Sequence, residues 1–537
     1  MPCSVRRYNP AFRGAAPDEA ALYRSGRLHS HQEVRSRETR LPTISILRSF
    51  CFMDMALHCP ACSVDYRIME RHFGCPKTAP DAEHVLRQVH RARPEVELWR
   101  QAWEDGERGS FRVFRNAFSS HLLAGEQGYL AHLEGLNDNL MRYEGLTFEA
   151  TALFAAGPIA RAIGHDGPLL AKDETANIAG SNKSRHFMGS LLYLEAHRRL
   201  SGSEAKTPLA VHGSGDEALA AAVVARAGEY PLHCFVPADL NPDTEEALRS
   251  QGAFIEKIAR QTGETGDPCY RAFRNAVAER EFIPFACSGP DNWSSIEGGR
   301  SLGYELALQL AEAGIVLDHL VLQVGGGAFA RAAIEAMESC REWGLLDTLP
   351  RFHVVQPAAS FPFVRCHALL LAHVADAAGL SFDLEYDIDS DPEDETAILR
   401  EFLDEESAQV ADVAAFAAER FATEEVQRVL ARAVANPSGF MWPWDAGTPH
   451  SSAAGMLDAV PHDWFYLAAG VLRTGGVPVI APEETIAAAR GLVSAHTIVS
   501  ASATGSAGLA GLMTLKQQGH VQGKDAAGIV LTSLAST

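Results

Sequence analysis

The chain has no excess of basic charge, no long apolar run and few cysteines for its length. Its 47 Lys and Arg residues are outnumbered by 68 Asp and Glu, a formal net charge of −21. It therefore lacks the basic face needed to neutralise the phosphates of a nucleic acid. No stretch approaches the roughly 20 consecutive apolar residues of a membrane-spanning helix, and the N-terminus lacks the apolar core of a secretory signal, so a cytoplasmic home is expected. Ten cysteines in 537 residues do not make a dense disulfide framework, and reduced thiols are expected. What remains is an ordinary globular composition, 47% hydrophobic and 21% charged, long enough to bury a large core in more than one lobe.

Residues 1–52 stand apart, rich in Arg and Ser with little periodicity, as in Arg35-Ser36-Arg37. They read as disordered or as a non-native extension; recurring acidic residues weigh against a transit peptide. Residues 53–144 form a cysteine-containing and helical segment. It begins with Cys59-Pro60-Ala61-Cys62, then Tyr66 and Cys75. A closed zinc site needs four ligands; His58, His72 or Cys51 would have to complete the set, and no metal is assigned. From about 83 to 140, Trp99, Trp103, Phe111, Phe114, Phe118 and Leu122 recur at helical steps and read as a packing face. From 150 to about 380, short apolar runs alternate with longer amphipathic ones (Pro208–Val211 before Asp216–Ala227, Leu320–Val324 before Ala330–Ser339). That rhythm predicts parallel sheet covered by helices on both faces. The acidic stretch 383–406 reads as a solvated loop or helix face, Phe440 to Trp444 as packing between lobes, and residues 516–537 as a C-terminal tail.

Four sites carry chemistry. The run from Lys172 to His186 leads from an apolar segment through a small-residue turn, Gly180-Ser181-Asn182, to Lys183 at a helix start. Helix-dipole positivity and a dry pocket would lower the pKa of Lys183 and free its amine as a nucleophile for an aldehyde, which suits a Schiff base with pyridoxal phosphate. The competing reading is a solvated helix start. The second site, Gln323-Val324-Gly325-Gly326-Gly327-Ala328-Phe329, takes a strand through three glycines into a helix. Backbone amides and helix-end positivity there make a cradle for one phosphate. A dinucleotide turn would place a third glycine where Ala330 stands, and a Walker loop would end in Gly-Lys-Ser/Thr. The third, His212-Gly213-Ser214-Gly215-Asp216, could hold a substrate carboxylate, with helix capping as the alternative for Asp216. In the fourth, the Thr504 hydroxyl could face a ring nitrogen or cap the last small-residue helix.

These elements, in this order over about residues 145–515, resemble the fold-type II, tryptophan synthase beta-like family of pyridoxal-phosphate enzymes. The run from Lys172 to Arg185 is similar to that family's Lys-x-Glu…Gly-Ser-x-Lys-x-Arg element. The run from Thr504 to Gly511, the Cys-x-x-Cys…Tyr…Cys segment, and Glu297 to Gln309 most resemble threonine synthases. The resemblance implies two-lobed, three-layer parallel sheets with an N-terminal helical extension, and pyridoxal 5'-phosphate as cofactor. Lys183 would be the Schiff-base lysine and base at Cα. Gly325, Gly326, Gly327, Ala328 and Phe329 would bind the phosphate, Asp216 would stand near the cofactor, and Thr504 would meet the ring nitrogen. Ser181, Asn182, Gly213, Ser214 and Gly215 would hold the substrate. Asp216 departs from the family's asparagine, and Ala328 shortens the glycine run. The expected partners are a small amino-acid substrate and a second copy of the chain, with no nucleic acid or membrane.

The activity implied is elimination or replacement on an amino acid, threonine synthase-like, with Arg185 and His186 as candidate cations for a substrate phosphate and surface solvation as the competing reading for each. The alternatives are a serine, threonine or diaminopropionate dehydratase or ammonia-lyase, which needs no second phosphate site, and a catalytically silent protein that binds the cofactor.

Overall fold

The structure is a computed structural model that describes residues 54–78, 84–213, 215–261, 264, 266–384, 392–444 and 449–534. The expectation for residues 1–52 lies outside this set, as do Ser214 and the acidic residues Asp387, Asp389 and Asp391. No described helix is long and apolar enough to cross a membrane.

Two parallel sheets form the body. The larger has six strands, in the order β12 (Pro478–Ala481), β11 (Arg351–Pro357), β10 (His319–Gln323), β13 (Ala527–Leu531), β5 (Leu169–Asp173) and β4 (Leu153–Ala155). All neighbours run parallel except the short edge strand β4. The smaller is a parallel four-stranded sheet, β8 (Phe254–Ile258), β7 (Leu232–Pro237), β6 (Leu209–His212) and β9 (Ile283–Pro284). Central strands such as β10 are buried along their whole length, because helices cover both faces of a parallel sheet. The expected α/β architecture of two parallel sheets is therefore present.

The C-terminal residues depart from expectation. Rather than trailing away as a tail, Ala527–Leu531 pairs with both β10 and β5 inside the larger sheet. Its five residues, Ala-Gly-Ile-Val-Leu, are all buried. An apolar run this short does not distinguish a core strand from a frayed end until its partners are known. The aromatic segment also differs in detail. Phe440 and Met441 join the core of the six-stranded lobe, and Trp444 packs on Phe361 within the same lobe rather than between lobes.

The lysine helix, Lys183–Ser201, is buried on nearly every face from Ser184 to His197. It ends at Gly202, whose φ of 63° places it in the left-handed region that closes helices. It crosses the helix Trp293–Ala313 at glycines. A Cβ on Gly189 would lie 2.2 Å from the Gly298 Cα, and one on Gly299 would lie 2.3 Å from the His186 ring. Only residues without side chains allow this approach. A three-stranded antiparallel sheet, β2 (Val64–Tyr66), β1 (Met55–Cys59) and β3 (Arg87–His90), lies against the lysine helix, with Leu57, Ile68, Tyr193 and Trp293 in one apolar cluster. Residues 87–90 are thus strand, where helix was expected from about 83. The four aromatics Trp99, Phe111, Phe114 and Phe118 do pack together in the core of the smaller lobe.

Candidate active site

The lysine is presented by a loop that leaves the C-terminal end of β5, where ligands collect in open parallel sheets. Asp173 accepts from the Thr175 amide at 2.9 Å, and Asn177 accepts from the Ile178 amide at 2.8 Å. Ala179 and Gly180 then both take left-handed φ, 54° and 64°. The extreme C-terminus braces this turn: the Asn182 amide donates to the Thr532 carbonyl at 3.1 Å, and the Leu534 amide to Gly180 at 2.9 Å.

Lys183 Nζ donates to Glu217 Oε2 at 2.6 Å, and Glu217 Oε1 accepts from the Cys287 amide at 3.1 Å. The expected fall in the lysine pKa is overturned. Burial alone pushes it down, but the Glu217 carboxylate, with Cys287 and Asp458 adding, carries it well above the ordinary lysine range. A charge partner at contact distance outweighs desolvation of the ammonium. Glu217 escaped sequence reasoning because two acids at a helix start read as dipole and capping chemistry. The helix is capped instead by Gly215. The side chain of Asp216 is hydrogen-bonded with Ser533, and burial raises its pKa.

The glycine turn follows β10. Gly327 has a φ of 95° and precedes the helix Ala328–Glu342. A Cβ on Gly325 would fall 2.4 Å from Asp458 Oδ2 and 2.8 Å from the Gly455 carbonyl, so the turn is closed on by the 455–458 segment and admits no side chain. Thr504 is free of capping duty. Ser502 caps the helix Ala503–Gln517 by accepting from the Gly505 amide at 2.9 Å, and Thr504 Oγ1 accepts from the Gly455 amide at 3.2 Å. Gln323 Nε2, at the end of β10, donates to Thr532 Oγ1 at 2.9 Å and to the Gly505 carbonyl at 3.2 Å, tying this helix to the sheet.

Lys183, Asn182, Gly325, Gly326, Gly327, Ala328, Phe329 and Thr504 share one cleft. Asp216, Ser181, Gly213 and Gly215 do not line it. His212 and Gln323, members of the third and second candidate runs, do line it, as do residues that sequence reasoning passed over: Glu217, Cys287, Asp458, His462 and Thr532. Asp458 follows the aromatic insert, and no spacing in the chain connects it to the glycine turn.

Arg185 was a candidate substrate cation; it points instead into a buried charge cluster. Its Nε and Nη2 donate to Glu174 at 2.7 and 2.9 Å, and Nη1 lies 3.0 Å from Glu305 Oε2. Lys172 completes the cluster by donating to Glu305, to the Thr151 carbonyl at 2.7 Å and to Gln309 at 2.9 Å. The charged residues of the Lys-x-Glu…Arg motif thus neutralise one another behind the lysine helix. His186 does line the cleft, but burial, with the Lys183 ammonium, holds its pKa to about 4, so it is neutral near pH 7. The cleft carries two carboxylates and no arginine among its described residues.

A family model described as pyridoxal-phosphate dependent enzyme matches residues 146–435, more than half of the chain. The chain belongs to this family. No curated protein matches it. Solved structures similar to it include a threonine deaminase from T.th. (17% identity, TM-score 0.47, covering 75% of this chain and 98% of that one). Maize serine racemase follows at 15% identity and TM-score 0.47, covering 75% and 94%. Diaminopropionate ammonia lyase from Escherichia coli has 12% identity and TM-score 0.48, covering 75% and 88%. Likeness this distant carries no argument about substrate.

The family implies pyridoxal 5'-phosphate, and the residues present fit it. A lysine amine, a side-chain-free turn at a helix start and the hydroxyl of Thr504, which does no capping, face one cleft.

Proposed function

We propose that this pyridoxal-phosphate enzyme is an ammonia-lyase of the dehydratase type, acting on a small β-hydroxy or β-amino acid rather than on a phosphate ester. One observation carries the reading: Glu217 and Asp458 line the cleft, while no arginine among the described residues does. A second phosphate would find no guanidinium among the described lining residues, and the cation expected to receive it, Arg185, is spent on Glu174 and Glu305. Of the two lining acids, Glu217 is already paired with Lys183 and burial raises the pKa of Asp458, so neither replaces that cation.

Gly325 to Gly327 and the start of the helix Ala328–Glu342 would hold the cofactor phosphate, and the Thr504 hydroxyl would face the pyridine nitrogen without protonating it. When bound, the cofactor supplies an electron sink for charge left at the substrate Cα. Lys183 Nζ would take the Cα proton. Glu217, fixed by the Cys287 amide, stabilises the ammonium so formed and makes the amine a stronger base. Asp458, whose pKa burial raises, would hold a proton for the departing amine or hydroxyl.

Purified enzyme with pyridoxal phosphate should gain a visible absorbance band, lost in Lys183→Ala. It should release ammonia from serine, threonine or diaminopropionate and no inorganic phosphate from phosphohomoserine. Phosphate release would restore the threonine synthase-like reading. A band that persists in Lys183→Ala would remove the lysine from its role.

A further inference from the structure

Outside the cleft, three thiols and an imidazole converge beside the small antiparallel sheet. Cys59 ends β1, Cys62 lies in the turn to β2, Cys75 follows the helical turn Ile68–Glu70, and His84 precedes β3. One ligand atom from each lies within 4.8 Å of all the others. The fourth position, left on sequence grounds to His58, His72 or Cys51, is filled by His84. His58 is instead paired with Asp65 at 2.7 Å. The signal was out of reach because His84 stands nine residues beyond Cys75 and outside any knuckle spacing.

The separations decide what this cluster can hold. Cys62 Sγ and Cys75 Sγ are 3.8 Å apart, and Cys75 Sγ is 3.6 Å from His84 Nδ1. A tetrahedral zinc ion with Zn–S of about 2.3 Å and Zn–N of about 2.0 Å sets sulfurs about 3.8 Å apart and sulfur and nitrogen about 3.5 Å apart. Both measured distances agree. A disulfide would need sulfurs at about 2.05 Å and would leave a third thiol and the imidazole unused. Ser63 takes a φ of 53°, and the amides of Cys62 and Val64 are hydrogen-bonded to Cys59 and Cys62. Tyr66 Oη, 3.4 Å from Cys75 Sγ and 3.6 Å from Cys62 Sγ, offers a further donor.

We propose that Cys59, Cys62, Cys75 and His84 bind one zinc ion in a closed, four-ligand structural site. Binding would release the three thiol protons. None of the four residues lines the active-site cleft, and no coordination position is left for a substrate. The ion would fasten the connections of this small sheet where it packs against the lysine helix. There Tyr193 Oη donates to the Ile68 carbonyl at 3.0 Å, His197 Nε2 lies 3.1 Å from the same oxygen, and Trp293 Nε1 donates to the His72 carbonyl at 2.7 Å.

The test is the zinc content of full-length protein purified without chelator or metal affinity, by plasma mass spectrometry. One zinc per chain is expected, with loss in the double variant Cys62→Ser, Cys75→Ser and release by a mercurial thiol reagent. Should that variant fail to fold, chelator-treated wild-type protein titrated with cobalt(II) should show the ligand-field and sulfur-to-metal charge-transfer bands of a tetrahedral thiolate site. Zinc well short of one per chain together with no cobalt bands would overturn the proposal. So would zinc retained in full by a folded double variant.

Discussion

Substituting Gly189 by alanine tests whether backbone contact between two helices seats the lysine. In an open helix, glycine to alanine gains about 0.8–1.0 kcal/mol in propensity. At Gly189 the new Cβ would lie 2.2 Å from the Gly298 Cα and 2.6 Å from its amide nitrogen. Carbons pack at about 3.5–4.0 Å, so the helices must part by more than about 1 Å. Neither contact is a side chain that can swing aside, so the cost belongs at the upper end of the overpacking range, about 3 kcal/mol. Net destabilisation is then about 2 kcal/mol. Gly135, in the helix Ser119–Glu144, would have nothing within 4 Å of an added Cβ, and Gly135→Ala should gain about 0.5–1 kcal/mol. The same substitution thus changes sign between two helices, which urea unfolding of full-length protein reads directly. Because Lys183 starts the displaced helix, Gly189→Ala should also depress turnover strongly, since a misplacement of about 1 Å can cost on the order of 100-fold. A Gly189→Ala variant within about 0.5 kcal/mol of wild type, the span of a neutral surface change, would refute the reasoning.

Two further substitutions probe the charges around the lysine. Arg185→Ala leaves Glu174 and Glu305 facing each other in a dry cluster and should cost about 3–5 kcal/mol in chemical denaturation; a loss under about 1 kcal/mol, the worth of an exposed pair, would contradict the assignment. Glu217→Gln removes the carboxylate that raises the Lys183 pKa. A raised lysine pKa adds stability below the unfolded-state value, and that stability is lost as pH rises through the folded value. In Glu217→Gln the lysine should deprotonate at lower pH, and because it acts as the base at Cα, the acidic limb of the activity profile should move down. An unmoved limb would mean that Glu217 does not control the lysine.

How much of this was legible follows from the range over which each signal acts. Strand and helix periodicities over 208–251 and 320–339 placed the parallel sheets, because burial on both faces writes continuous apolar runs into the sequence. The lysine and the three glycines were legible because each sits where the chain passes from a strand to a helix and backbone conformation restricts residue type, and Thr504 because it opens a small-residue helix. Glu217 and Asp458 were not, because an acid at a helix start or in an irregular loop looks the same whether it faces water or an ammonium. The expectation for Arg185 failed similarly: adjacency to Lys183 in sequence rotates it by about 200° around the helix, two steps of the 3.6-residue turn, away from the cleft.

By itself, the sequence determined the family, the cofactor chemistry and the parallel sheets, all of which depend on local turns and periodic burial. Only the tertiary structure decided the rest. It drew the last strand into the middle of the larger sheet, set Glu217 against Lys183, turned Arg185 inward and brought His84 to three cysteines. Each of these joins residues distant along the chain or fixes which way a side chain faces, and electrostatics at 3 Å depends on that direction rather than on residue type.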